Sequence, residues 1–292
     1  MALSIHTNYS SLITQTNLGK TNNALGTNQQ RLGTGFRINS AADDAAGLQI
    51  ATRLNAQSRG MDVAIRNTND AVSLLQTAEG AFSEMTDIVQ RMKDLATQAA
   101  NGTTAQADRD ALQAEYDELG KELANIMDNT TYAGEKLFGK TGAGQKFGSA
   151  VDFQIGATAD EKLSLNVAAD ASALGTAFSG LSTQYTTAST TPGTEIASQT
   201  AANGKITTLN TALDKIGELR AAFGANINRL NHTANNLANM KDNTDMAKGR
   251  IMDADFAKES ANMTKNSMLM QSGISMLKQA GQMPGMVMSL LG

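Results

Sequence analysis

A seven-residue repeat runs without interruption through residues 50–100 and limits this chain more than any other feature of its 292 residues. Small or apolar side chains recur at every seventh position and again three positions later, a pattern that predicts the seam of a coiled coil. A helix that carries this seam is about 75 Å long, far beyond a typical globular helix. The first column of the seam contains Leu54, Met61, Thr68, Leu75, Phe82, Val89 and Ala96.

Two further segments carry matching seams. One begins near Thr104, after a break at Asn101-Gly102, and ends near Asp128. Because the break is short, we expect this second helix to turn back antiparallel on the first. The third seam lies far away in the sequence, and three matching seams predict one helical bundle. Its column contains Leu209, Ile216, Phe223, Leu230 and Leu237.

The two ends of the chain carry narrower apolar stripes, in residues 3–33 and 256–291. Every acidic residue of the chain lies between Asp43 and Glu259, so the stripes are almost free of negative charge. Both segments contain glycine, and neither stripe is wide enough to predict a helix that is stable alone. We therefore expect the ends to pack with each other and with other copies. The stripe contains Ile5, Leu12, Leu18, Leu25, Leu32, Phe256, Met263, Met270, Leu277 and Leu291.

Residues 140–200 differ from the rest. Apolar side chains alternate with polar ones at 151–155 and again at 163–167, which predicts two short strands, as in a β-hairpin. Residues 175–204 are rich in Thr, Ser, Ala and Gly and contain Pro192, a composition that predicts an exposed loop. The fold class predicted is mainly α, a long antiparallel coiled-coil bundle of the N- and C-terminal segments with a small outer region.

The composition argues against an enzyme. Aromatic residues amount to 4%, and the chain has no Cys and no Trp. His6 and His232 are isolated, so no metal site is predicted, and no glycine-rich phosphate loop predicts a cofactor. Asp43 and Asp44 follow Ser40, and we interpret this group as a helix N-cap with first-turn acids, not as a paired carboxylate site.

The charge and the apolar runs of the chain argue against a nucleic-acid-binding protein and against a membrane-spanning one. The net charge is −4 and the basic residues are diffuse, so no nucleic-acid partner is predicted. No apolar run approaches the ~20 residues that span a bilayer. The start of the chain also lacks the basic region, apolar block and cleavage site of a secretory signal.

The two ends of the chain resemble the bacterial flagellins, the subunits of the flagellar filament. The N-terminal resemblance rests on RLGTGFRINSAADDAAG at 31–47, RNTND at 66–70 and QRMKDLA at 90–96. At the C-terminal end it rests on DADFA at 253–257, QMP at 282–284 and SLL at 289–291. The chain then ends in Gly292, whereas the family often ends Leu-Leu-Arg.

This resemblance implies a division into five segments. Residues 1–42 would form an inner-tube helix and spoke, and 253–292 the second inner-tube helix. Residues 43–139 and 201–252 would form the helical shell, with two antiparallel helices and one long helix. Residues 140–200 would form the variable outer region.

The resemblance also implies how the protein is exported, how it assembles and which partners it has. It implies a subunit of an extracellular homopolymer used for motility, exported unfolded through the flagellar type III channel. A chaperone, a cap protein and hook-junction proteins are the implied partners. We expect the ends, roughly 1–40 and 255–292, to be disordered in the monomer and to fold on polymerisation. In other flagellins, the positions matching Arg91, Leu95, Gln98 and Glu115 form the contact for a host innate immune receptor.

Three alternatives remain open at this point. Hook–filament junction proteins share the terminal patterns, although they would not elongate a filament. A flagellin with an enzymatic insert would need a larger middle region. Ser or Thr residues within 179–200 could also carry glycans, which mass spectrometry of native filament would detect.

Overall fold

A computed structural model describes residues 8–140, 145–187 and 189–291, with side chains described as far as residue 282. The described part is dominated by helices and contains two small antiparallel strand pairs, which confirms the predicted fold class. None of its helices is long and apolar enough to cross a membrane. The helices are α1 Tyr9–Thr34, α2 Ala45–Ala99, α3 Gln106–Asn129, α4 Ala168–Ser179, α5 Thr183–Thr186, α6 Gln199–Met252 and α7 Phe256–Leu291. The strands are β1 Thr131–Tyr132, β2 Glu135–Lys136, β3 Val151–Gln154 and β4 Lys162–Leu165.

The chain divides into two compact units. Met1–Ser58 and Asp242–Gly292 form one, which we call the terminal unit, and Arg59–Lys241 form the other, the central unit. The division runs within α2 and within α6, so it does not follow the boundaries of the five predicted segments.

In the central unit, α2 and α6 pack antiparallel. Asp62 pairs with Lys241 at 2.9 Å, and Glu79 pairs with Arg220 at 2.8 Å. Later residues of α2 therefore contact earlier residues of α6. The long predicted seam lies between them, where apolar burial supplies most of the stabilisation. Leu75, Phe82 and Val89 of α2 and Leu209, Ile216, Phe223 and Leu230 of α6 are all buried in one continuous core.

Helix α3 returns antiparallel to α2, as predicted from the short break. The guanidinium of Arg109 donates to the carbonyls of Ala99 and Asn101, which ties the start of α3 to the turn. Farther along, Arg91 and Glu115 form an ion pair across the two helices. Apolar side chains on one face of α3 enter the core shared with α2 and α6, namely Tyr116, Leu123, Ala124 and Met127.

The predicted hairpin is present as β3 and β4, with Phe153 opposite Leu163 and Val151 opposite Leu165. The sequence did not predict the second pair, β1 and β2, which are too short for alternation to be visible. A two-residue turn joins them, with Ala133 at φ 51° and Gly134 at φ 84°. Positive φ at both central positions is typical of the tight turns that close hairpins.

The prediction of an exposed loop at 175–204 is correct only for its middle part, where residues 187 and 189–194 lie outside any helix and are mostly exposed. Residues 175–204 also contain the end of α4, all of α5 and the start of α6. A series of large side chains begins just before the stretch and continues into it. Leu174, Phe178, Leu181 and Tyr185 are spaced by four, three and four residues, and all are at most 1% exposed. Spacing by three and four residues is typical of a buried helical face, and average composition conceals this signal. In the structure the series crosses the turn at 180–182, between α4 and α5.

A buried polar cluster fixes this segment against α3. The side-chain amide of Gln113 donates to both Asp117 (2.8 Å) and Glu195 (2.9 Å), and its oxygen accepts from the N–H of Ile196. Burial alone would raise the pKa of Glu195, but hydrogen bonds from the N–H and hydroxyl of Thr183 outweigh it and lower that pKa. These polar groups therefore satisfy each other where the segment docks on α3, and the charge of Lys205 adds to the stabilisation of the Glu195 carboxylate.

Candidate assembly surface

The first and last helices of the chain pack antiparallel within the terminal unit. Near one end, the side-chain amide of Asn8 donates to the carbonyl of Ala280 at 2.7 Å. Farther along, a β-carbon added at Gly273 would lie 3.2 Å from Leu18 Cδ1, so the glycine gives the leucine room. The N- and C-terminal segments are therefore partners in one chain.

A charged cluster lies at the other end of this pair. Glu259 is 7% exposed and accepts a hydrogen bond from Arg31 at 3.3 Å. In the amide orientation that satisfies its neighbours, Asn28 donates to Glu259 and accepts from Asn266. The last acidic residue of the chain is thus paired and hydrogen-bonded, which limits the cost of burying its charge.

The described members of the predicted stripe are either exposed or half-buried. Leu12 and Phe256 are exposed. Ile5 and the side chain of Leu291 lie outside the described part. The remaining members are half-buried, as expected for a narrow seam between two helices, and are Leu18, Leu25, Leu32, Met263, Met270 and Leu277.

Beside the seam, the terminal unit exposes large apolar side chains. Residues of α7 contribute a shallow groove lined by Met268 and Leu269 together with Ala261, Thr264, Lys265 and Ser272. Large exposed apolar side chains gathered in one unit mark an interaction surface. Its large members on α1 and α7 are Tyr9, Leu12, Ile13, Phe256, Met268, Leu269, Ile274 and Met276.

We call this set of eight side chains the assembly face. Leu12 and Phe256 belong to the predicted stripe, whereas the sequence did not predict Ile13, Met268, Leu269 or Met276. Leu269 and Met276 are themselves seven residues apart. They form a second column on α7 beside the predicted one. A search for parallel columns, in place of a single best column, would have found it.

The connection from α1 to α2 pairs with the connection from α6 to α7. The N–H of Arg37 donates to the carbonyl of Met252, and the N–H of Ala254 donates to the carbonyl of Gly35. Gly35 has φ 73° and ends α1 in the left-handed conformation that glycine favours. The ends of the two terminal helices are therefore joined by backbone hydrogen bonds.

The N-cap of α2 is not Ser40, the residue that was predicted. Helix α2 begins at Ala45, and the carboxylate of Asp44 accepts from the N–H of Gly47 at 2.8 Å, so Asp44 is the cap. Asp43 instead closes the preceding turn, where its carboxylate accepts from the N–H groups of Asn39 and Ser40. These hydrogen bonds lower the pKa of Asp43. Two adjacent acids thus have two separate structural roles.

The predicted shell seam is almost wholly interior. Leu54 is half-buried, whereas Met61, Leu75, Phe82 and Val89 are at most 1% exposed. On α6 the five predicted positions are buried as well, the most exposed being Leu237 at 7%. Apart from Leu54, which belongs to the terminal unit, these residues hold the central unit together and offer little surface to another molecule.

The four residues of the receptor hypothesis do not form one surface. Arg91 and Glu115 are exposed and bonded to each other, and Gln98 is exposed beside them on α2. Leu95, by contrast, is 1% exposed and lies in the core. In this conformation only the three polar residues are accessible. Within the described residues, no group of three or more His, Cys, Asp or Glu side chains could hold a metal ion.

Comparison with known proteins gives matches at both ends. Residues 5–143 match the family model of the bacterial flagellin N-terminal helical region, and residues 206–291 match that of the C-terminal helical region. A relative named flagellin D, from Vibrio cholerae, is 35% identical over an alignment 377 positions long, which covers 100% of both chains.

Two solved structures are also similar. Flagellin of Bacillus cereus is 34% identical and aligns over 59% of this chain and 88% of its own, with a TM-score of 0.49. A putative flagellar hook-associated protein of Vibrio parahaemolyticus is 13% identical and aligns over 72% of this chain and 100% of its own, with a TM-score of 0.54. At that identity the second likeness concerns the fold alone.

Proposed function

The chain belongs to the bacterial flagellin family and is a structural subunit of the flagellar filament, and we propose that its copies bind one another through the assembly face. The proposal rests on a difference between the two units in the number of large apolar side chains that they leave exposed. Most of the large apolar side chains that the described residues leave exposed lie in the terminal unit. Burial of such side chains between copies would contribute about 1.5–3 kcal/mol for each that is fully covered.

We also propose the following steps, which are supported by membership in the family. The chain leaves the cell unfolded through the flagellar type III channel and acts outside the cell, with a chaperone, a cap protein and hook-junction proteins as partners. Its terminal helices fold on polymerisation. The half-buried seam of α1 and α7 supports that last step, because two helices that cover each other only partly gain from further copies.

Elongation of filament seeds tests the assembly face. We expect the pure protein to extend sheared filament seeds, visible by electron microscopy. Replacing Leu269 and Met276 together by Ser should raise the protein concentration needed for elongation about tenfold or more, because apolar burial is lost.

The matched control replaces Gln271 and Lys278, which are exposed polar residues of the same helix, by Ser. The proposal fails if both double variants elongate seeds equally well. Failure of the unmodified protein to elongate would instead favour a hook-junction adapter, the rival suggested by the terminal patterns.

A second candidate function is recognition by a host innate immune receptor. It is supported by the exposed Arg91–Glu115 ion pair with Gln98 beside it, and we restrict the hypothesis to these three residues. Purified monomer should activate receptor-bearing cells, and Arg91→Ala should weaken activation about tenfold because a charged contact is lost. Arg229→Ala, at an exposed arginine of α6, is the control. Equal responses to the two variants would exclude these residues as the contact.

A further inference from the structure

The turn between α2 and α3 contains an asparagine followed by a glycine, and the same dipeptide occurs once more in the chain. Asn101-Gly102 lies in the turn, whereas Asn203-Gly204 lies within α6. All four residues are exposed, so water reaches both dipeptides. Glycine lacks a β-carbon, which lets its main-chain nitrogen approach the side chain before it closely. The two dipeptides therefore differ chiefly in the backbone around them.

In the turn, the main-chain nitrogen of Gly102 is available for reaction. Among the residues that the structure describes, none accepts a hydrogen bond from its N–H, although neighbouring groups of the turn are engaged. The N–H of Asn101 donates to the carbonyl of Gln98, and the N–H of Thr104 donates to the carbonyl of Asn101, both at 3.2 Å. The nitrogen of Gly102 can therefore lose its proton to water and act as a nucleophile without breaking a hydrogen bond of the protein.

The side-chain amide of Asn101 is placed to receive that attack. Its oxygen accepts a hydrogen bond from the N–H of Thr103 at 3.3 Å. A donor at this oxygen stabilises the negative charge that develops there when a nucleophile adds to the amide carbon. Within the described part of the chain, the amide nitrogen of Asn101 donates to no acceptor. This leaving group can therefore take a proton from water as it departs.

In α6 the second dipeptide is restrained by the helix. The hydrogen-bond ladder has begun by Ala202, whose N–H donates to the carbonyl of Ser198 at 2.9 Å. Two residues later, the N–H of Gly204 belongs to the same ladder. Attack by this nitrogen requires loss of its hydrogen bond and a non-helical backbone at Asn203. The helix therefore protects Asn203.

We propose that Asn101 is a site of spontaneous deamidation, a covalent modification that accumulates with the age of each copy. The nitrogen of Gly102 bonds to the amide carbon of Asn101, and the bond from that carbon to the amide nitrogen breaks. The amide nitrogen leaves as ammonia, and the proton that Gly102 gave up is replaced through water. A water molecule then opens the cyclic imide at either of its two carbonyls, which gives aspartate or its isoaspartyl isomer.

Each product adds a negative charge to the turn. The guanidinium of Arg109 lies beside it, since it donates to the main-chain carbonyl of Asn101 at 3.2 Å. In the isoaspartyl product this carbonyl carbon becomes the free carboxylate, so the new charge has a cation next to it. The isoaspartyl main chain also gains one carbon before Gly102. We therefore expect the turn to loosen while both helices remain.

Peptide mass spectrometry of the folded monomer, incubated at slightly alkaline pH, tests the proposal. Asn101 should convert on the order of tenfold faster than Asn203, or more, because attack within the helix also has to break a hydrogen bond. In urea the two sites should convert at similar rates, since the same dipeptide then lies in an unfolded chain. The proposal is overturned if the folded protein converts Asn101 no faster than Asn203.

Gly102→Ala tests which atom attacks. A β-carbon at Gly102 would lie 3.6 Å from Gln199 Nε2, an ordinary contact, so the turn should fold unchanged. The substitution should slow conversion of Asn101 on the order of tenfold, because the methyl group hinders the approach of the nitrogen. Gly204→Ala, where a β-carbon would meet nothing within 4 Å, is the control and should leave the rate at Asn101 unchanged. Undiminished conversion in Gly102→Ala would exclude this attack. None of these measurements depends on filament assembly, so their outcome is independent of the proposed function.

Discussion

Deletion of residues 255–292 should leave a soluble monomer that no longer elongates filament seeds at any practical concentration. The truncation removes α7 and with it the partner of α1 in the terminal unit. Leu18 loses the groove beside Gly273, and Arg31 loses the carboxylate of Glu259. The exposed patch on α7 disappears in the same step.

The central unit should survive this truncation. Its core is built from α2, α3 and α6 with the segment between them, and none of those residues lies beyond Lys241. We therefore expect the truncated monomer to keep the helical circular dichroism of the central unit and a cooperative unfolding transition. Seeds incubated with it should keep their original length in electron micrographs.

A shorter deletion provides the control. Removal of residue 292 alone leaves α7 at its full described length and should leave elongation unchanged. If the chain lacking 255–292 extended seeds, assembly would not depend on α7, and folding of the ends on polymerisation would be excluded as its mechanism.

The long helices could be predicted because their seams repeat over many turns. Even the polar member of the α2 column fits, since the hydroxyl of Thr68 is buried and donates to the carbonyl of Ala64 at 2.7 Å. A residue that satisfies its own hydrogen bond within the helix can occupy an apolar column. Periodicity is therefore a reliable guide where the same face is buried along the whole helix.

The outer region could not be predicted in the same way because its order depends on distant partners. Leu181 is buried, and its carbonyl accepts from the hydroxyl of Tyr116 on α3. Gly120 is equally specific, since a β-carbon there would lie 2.6 Å from Ser182 Oγ. No local pattern within 175–204 contains this information, so its Thr- and Ser-rich composition predicted a loop.

The assembly face could be predicted only in part from the sequence. Their columns are visible in the sequence, but the sequence does not say which column an intramolecular partner covers. Leu25 and Met270 are half-buried, whereas Met268 and Leu269 are exposed. Only the packing of α1 against α7 separates seam from surface.

Phe82→Ala should destabilise the central unit by about 3–5 kcal/mol, the usual cost of removing a fully buried phenylalanine. The Phe82 ring lies 4.9 Å from that of Phe138 and 5.4 Å from that of Phe223, measured between centroids. Phe147 contacts both of those rings in turn. The substitution therefore opens a cavity where α2, α6 and the segment after β2 meet.

Urea unfolding of the monomer, followed by circular dichroism, measures this loss. Phe256→Ala is the matched control, because Phe256 is 58% exposed and its removal should change the free energy of unfolding by at most about 0.5 kcal/mol. A loss as small for Phe82→Ala would show that the four rings do not form one core. If the four rings form one core, the aromatic cluster that joins the two long helices also holds the segment after β2. The Phe82→Ala variant should then also be cut faster by protease within 130–200. Loss of packing at one seam residue would then loosen the outer region, which average composition had described as a separate exposed loop.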